Sequence, residues 1–276
     1  MSNEYFANPL AFFAGEIKRL RAKLNMTQEH LAGMAGYAPS TVAAIESQHL
    51  LPSEDFAKNI DKAFDTDGHF ERLQLLVDAT CVLPWFRDLV ETERKAVSIQ
   101  TYESYVIPGL LQTEDYARHA VSATRPRLSD EEIQRAVALR MTRQEILNQE
   151  SPPRLWAIID ESVLRREVGG KEVMRDQCDH LLTMGQRPHI AIQIIPDTRG
   201  VTCSYGRDFM ILTFNSTNKK PRPPMAYIED MRTARYVREQ DEVGVYSTAF
   251  DYLRSSAIDD QQSADLIRGY RDERYV

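Results

Sequence analysis

Residues 27–46 read "TQEHLAGMAGYAPSTVAAIE", and this stretch leaves the chain few ways to fold around it. Two apolar-periodic segments flank the turn at Gly36, Tyr37 and Ala38. Thr27 suits the N-cap of the first segment, where its hydroxyl can accept an orphan backbone N–H. Leu31, Ala32 and Ala35 form the inner face, and Ala32 must be small because the second helix crosses close by. Gly36 stands where the first helix stops and the chain reverses, a site that often demands positive φ. Tyr37 buries beside the turn. Pro39 suits the first turn of the second helix, where a missing N–H costs little. Val42 and Ile45 then point inward, which leaves Ser40, Thr41, Ala43, Ala44 and Ser47 facing outward.

The flanking sequence continues in helices. Phe13, Ile17, Leu20 and Leu24 recur at helical spacing from Pro9 to Leu24. Ser53 is an N-cap after Pro52, with Glu54 and Asp55 in the first turn and Phe56, Ile60 and Phe64 as the apolar stripe. A turn at Gly68 opens a fifth helix. Residues 1–80 therefore read as an all-α five-helix domain, and residues 81–276 as a separate mixed α/β (α+β) domain.

Between residues 24 and 57 there is no lysine or arginine, although cationic side chains usually dominate affinity for DNA. Net charge is −7, and residues 1–78 carry 7 Lys+Arg against 11 Asp+Glu. That balance excludes a general nucleic-acid coat. Any DNA binding must use local charge, and Lys18, Arg19, Arg21 and Lys23 cluster just upstream.

The stretch resembles the helix-turn-helix of the lambda-repressor-like (XRE-type) regulators, whose pattern of TQ, LA, G, S, I/V and a closing E it follows over residues 10–75. That resemblance implies a second helix seated in the major groove, with its N-terminal residues at base edges. The implied DNA contacts are Lys18, Arg19, Arg21, Lys23, Thr27, Gln28, Pro39, Ser40, Thr41, Ala44 and Ser47. Gln28 would meet phosphate, and the methyls of Thr41 and Ala44 would suit thymine. Ala38 stands where the family often has a Ser N-cap, and His30 where a capping acid is common. No Arg or Asn is available on the second helix for bidentate base reading. The expected reader is weak as a monomer and useful as a homodimer on a two-half-site double-stranded operator.

In the second domain, Ser129 and Glu132 have capping-box spacing ahead of Ile133, Val137, Met141 and Ile146. "RLWAIIDESVL" reads as a buried strand turning into a helix, and "GGKEVMRDQCDHLLTMG" as an amphipathic helix. "HIAIQIIP", "FMILTF" and "MAYIED" are β-rich runs. The last 40 residues read as helical, and "NKKPRPPM" as a mobile connection. Enzyme fingerprints are missing: there is neither G-x-G-x-x-G nor a phosphate loop. The six histidines show no metal-ligand spacing, and "CDH" at Cys178–His180 has no second pair. No metal and no cofactor is expected. Asp160, Glu161, Glu229 and Asp230 are the carboxylates an enzyme reading would use, but helix capping or salt bridging is the favoured role. A small-metabolite sensor would instead need a pocket along residues 156–160 and 190–195.

"YVIPGLLQTEDYAR" (105–118), "RQEIL" (143–147) and "IIDESVLRREVGG" (158–170), in this order, resemble the long C-terminal region of WhiJ-like regulators of actinobacteria. The resemblance implies a transcriptional regulator paired with a small protein encoded nearby, in an antitoxin-like or developmental-control arrangement. Within the motif, Pro108-Gly109 should turn, Leu110 and Leu111 should bury, and Thr113 should cap a helix carrying Tyr116.

Three cysteines at unrelated spacings read as free thiols in a reducing compartment. No apolar run approaches the ~20 residues that span a bilayer, and no basic leader precedes the first apolar patch. The expected location is the cytoplasm, with no membrane partner.

Overall fold

The computed structural model describes residues 9–48, 50–81, 84–124, 126, 128–199, 208–215, 222–229 and 234–276. Asp230, Cys203 and residues 218–221 of the basic loop lie outside them, as does the side chain of Cys81. The chain divides into two units, Met1–Leu83 with Thr124–Arg143, and Pro84–Ala123 with Gln144–Val276. This differs from a single cut near residue 80. A helix from the middle of the chain joins the N-terminal unit.

The first unit begins with five helices: α1 (Pro9–Lys23), α2 (Gln28–Ala35), α3 (Pro39–Glu46), α4 (Glu54–Phe64) and α5 (His69–Cys81). Local chemistry sets their ends. The Thr27 hydroxyl accepts from the His30 N–H, Ser53 from the Phe56 N–H, and Gly36 closes α2 at φ 76°. Buried Asp61 takes the place of a cap for α5, accepting from the N–H groups of Phe70 and Glu71. Phe13 meets Phe70 edge-on at 5.2 Å and Tyr37 meets Phe56 at 5.0 Å, so aromatic pairs fill the centre. Leu24 departs from the expected apolar stripe, at 45% exposure, because α1 ends one residue before it. The added helix is α8 (Asp130–Gln144), numbered in chain order. Ser129 and Glu132 cap it reciprocally, and its Thr142 hydroxyl accepts the Leu51 N–H at 2.8 Å.

The second unit is built on six strands: β1 (Ala96–Glu103), β2 (Arg154–Asp160), β3 (Ile190–Ile195), β4 (Phe209–Phe214), β5 (Met225–Glu229) and β6 (Ala234–Val237). Their order is β3-β2-β1-β4-β5-β6. The β1–β2 and β2–β3 pairs are parallel, and the rest are antiparallel. Parallel neighbours need crossovers. Here the β2–β3 crossover carries α9 (Glu161–Arg165) and α10 (Lys171–Met184). Also in this unit are α6 (Pro84–Glu93) and α7 (Glu114–Thr124). The chain closes with α11 (Gln240–Ser256) and α12 (Asp260–Gly269). One sheet face gathers Tyr102, Ile158, Phe209, Ile211 and Ile228 against Phe250 and Leu253 of α11. The observed architecture is an N-terminal helical unit and a mixed α/β unit.

The two sheet edges differ. Along β3, the Ile258 N–H donates to the Ile194 carbonyl and the Ile194 N–H donates to the Ser263 hydroxyl. The chain thus covers that edge with its own α11–α12 connection. Among the described residues, β6 carries no strand on its outer side.

Candidate nucleic-acid interface

The second helix of the motif, α3, presents Pro39, Ser40 and Ser47 to solvent, while Thr41, Ala43 and Ala44 are half-buried. Val42 and Ile45 are fully buried beneath them. Ala38 precedes α3 with no side-chain cap, and Pro39 occupies its first turn. The Ser47 hydroxyl donates to the carbonyls of Ala43 and Ala44, so its proton stays on its own helix. The face offered is small and weakly polar.

The position of α3 is fixed by a residue to which the sequence reading gives no role. Glu46, its last residue, is 2% exposed. Arg21 of α1 donates to both carboxylate oxygens, at 2.8 and 3.1 Å, and Gln28 of α2 donates to one at 2.7 Å. Arg21 also donates to the Met26 carbonyl. Three helices therefore meet on one carboxylate. Burial alone would push the Glu46 carboxyl up. The hydrogen bonds from Arg21 and Gln28, aided by the charges of Arg21 and Lys18, outweigh burial and hold it below the ordinary range. The closing glutamate of the motif was the available signal.

This network sorts the expected contact residues. Arg21 and Gln28 are spent on Glu46 and serve first as scaffold. Lys18, Arg19 and Lys23 are exposed, and Arg19 pairs with Glu16 across one helical turn. Lys18 lies within electrostatic reach of Glu46, and so near the C-terminal end of α3. Thr27 is exposed with its hydroxyl engaged in capping.

In the second unit the singled-out carboxylates hold structure together. Asp160 caps α9 through Ser162. Glu161 accepts the Asp197 N–H and the Tyr270 hydroxyl, and Glu229 accepts the Tyr227 hydroxyl. The Cys178 thiol is pushed up to about 12 by burial, which makes it a poor nucleophile. Along strand residues 156–160 and 190–195, Ile158, Ile194 and Ile195 are at most 2% exposed, while Trp156, half-buried, lies edge-on to Phe250. No group of three or more metal-ligating side chains occurs among the described residues. No described helix is long and apolar enough to cross a membrane.

The "PGLLQTEDYAR" motif is a turn, buried at Leu110, Leu111 and Gln112 and satisfied by side chains, that runs into α7. Leu110 and Leu111 are buried, and the Thr113 hydroxyl caps the helix of Tyr116. The Ile107 N–H donates to the Tyr116 hydroxyl, and Gln112 donates to the Ile107 carbonyl. Gln144 donates to the carbonyls of Gly109 and Gln112. Gln177 accepts the Thr113 N–H and donates to the Leu111 carbonyl.

Comparison with known proteins agrees with this division of labour. A helix-turn-helix family model matches residues 17–69, which supports a DNA-binding transcriptional regulator of XRE type. No curated protein and no solved structure matches the chain. A second family model, described as a domain of unknown function (DUF5753), matches residues 86–269, well over half of the sequence. The chain therefore belongs to the DUF5753 family and carries an XRE-type helix-turn-helix ahead of that domain.

Proposed function

We propose that the protein is a sequence-specific, dimeric transcriptional regulator of the cytoplasm. Its C-terminal domain would receive a signal from a small partner protein, in an antitoxin-like or developmental role. The observation that carries the DNA-reading part is α3, with Ser40 exposed and Thr41 and Ala44 half-buried, anchored through Glu46 to both neighbouring helices. An anchored helix with small outward residues approaches a groove closely at little entropic cost. Ser40 and Thr41 would meet base edges or phosphate, the methyls of Thr41 and Ala44 would meet thymine, and Lys18, Arg19 and Lys23 would meet the flanking backbone. The partner-protein part rests on the WhiJ-like resemblance of residues 105–170. We assign no catalytic step to the engaged carboxylates.

A gel shift on the DNA upstream of the protein's own gene tests the contact face. With Ser40→Ala and Thr41→Ala together, affinity at ~0.15 M salt should fall about tenfold or more, while the melting temperature stays unchanged. Undiminished binding would remove α3 as the reader. Three exposed cations per subunit also set an expected salt slope of about −3 per subunit, and a slope near −8 would mean that another basic surface dominates.

A further inference from the structure

The outer side of β6 and the adjoining flank of α11 form one surface. A shallow hollow of about 320 Å³ lies there, lined by Arg235, Tyr236, Val237, Arg238, Glu239 and Glu242. Arg235 reaches across it to Glu242 and the Tyr246 hydroxyl of α11. On its other flank α11 sends Arg254 over the Trp156 ring of β2. Glu242, Val245, Ala249 and Tyr252 follow one another at three- and four-residue steps, so they share the flank that looks toward β6. Val245 and Tyr252 are each 62% exposed, an apolar pair beside a strand that has no outer neighbour among the described residues. The opposite edge of the same sheet is sealed by Ile258 and Ser263.

The charges on this edge are self-complementary, two arginines preceding two glutamates along the chain. Arg235 and Arg238 oppose Glu239 and Glu242 in number, so an acidic or basic polymer gains little from it. A second copy gains more. Antiparallel pairing centred on Val237 would set Arg235 opposite Glu239 and Tyr236 opposite Arg238, each pair twice by symmetry. Arg238 already lies over its own Tyr236 ring at 5.7 Å, so that ring accepts a guanidinium. Strand face alternation puts Arg235 on the α11 side together with buried Val237, and Glu239, two residues past the strand, is the N-cap from which α11 starts.

We propose that two copies of this chain join through β6, extending the sheet across a two-fold axis and covering Val245 and Tyr252 between their α11 helices. This deepens the dimeric reading above and rests on it. Light scattering and analytical ultracentrifugation of the full chain test it. The wild type should be a dimer. Val245→Glu with Tyr252→Glu, or Glu239→Arg alone, should raise the dissociation constant about tenfold or more, with melting followed to show that the fold persists. The triple reversal Arg235→Glu, Glu239→Arg and Glu242→Arg keeps the internal pair and the cross-pair with signs exchanged. It should dimerise with itself but not with the wild type. A wild type that stays monomeric at ~100 µM overturns both this surface and the dimeric reading. A wild-type dimer that these variants leave untouched overturns the surface alone, as does a triple variant that pairs freely with the wild type.

Discussion

Glu46→Ala is expected to cost the N-terminal unit about 2–4 kcal/mol and to abolish DNA binding at temperatures where the wild type binds. The carboxylate is 2% exposed and takes three donated hydrogen bonds from α1 and α2. Its removal leaves the Arg21 guanidinium half-stranded and the Gln28 amide without its acceptor. The Arg21 side chain is 23% exposed, so water recovers part of the loss and the figure falls below that for a fully buried pair. Glu46→Gln should cost less, because the shape and one acceptor remain. Gln28→Ala should cost least, about 1 kcal/mol, because the Arg21–Glu46 pair survives it. The order Ala, Gln, then Gln28→Ala is measurable by denaturant titration. A Glu46→Ala variant within about 0.5 kcal/mol of wild type would reduce the network to an ornament of the surface.

The same carboxylate gives a pH dependence with a definite sign. Its folded value lies below the ordinary carboxylate range. The stabilisation is therefore complete above the unfolded value, about 4.3, and is lost as pH falls through the folded value. The stability difference between wild type and Glu46→Gln should be constant from neutral pH to about 5 and should shrink on further acidification. A difference that grows toward acid would contradict the pairing.

What could be read from the residues alone was whatever closes over a few positions. Thr27, Ser53, Thr113 and Ser129 each cap a backbone N–H three residues on, and that spacing is visible in any sequence. Gly36 was visible because a turn between two short helices requires a conformation few other residues adopt. Two strands were not read out. "AVSIQTYE" was submerged in a segment of mixed texture, and "ARYV" is four residues with an arginine inside. Long-range partners were opaque for a different reason. Arg21 and Glu46 are 25 residues apart, and Gln177 and Leu111 are 66 apart. Nothing in the local pattern distinguishes Arg21 and Gln177 from the exposed arginines and glutamines elsewhere in the chain. The grouping of α8 with the N-terminal unit has the same origin, since its bond from Leu51 to Thr142 spans 91 residues.

The most damaging change in the second unit is expected at Gln177. It is fully buried on α10 and serves two backbone groups of the 109–113 turn, the Leu111 carbonyl at 2.7 Å and the Thr113 N–H at 2.8 Å. That turn is a single 3-10 loop, Gly109–Leu111, with too few internal partners to satisfy itself. Gln177→Met nearly keeps the volume but removes both hydrogen bonds, which isolates the polar contribution. Two buried groups left unpaired at about 1–3 kcal/mol each imply a loss of about 2–6 kcal/mol, or roughly 4–24 °C in melting temperature for a unit of this size. An exposed control, Gln186→Met, should change stability by less than about 0.5 kcal/mol. If Gln177→Met melted with the control, water would have to reach the turn. If it melts as expected, the "PGLLQTEDYAR" sequence is constrained by the interior it fills, and any partner-binding surface of the second unit must be sought elsewhere.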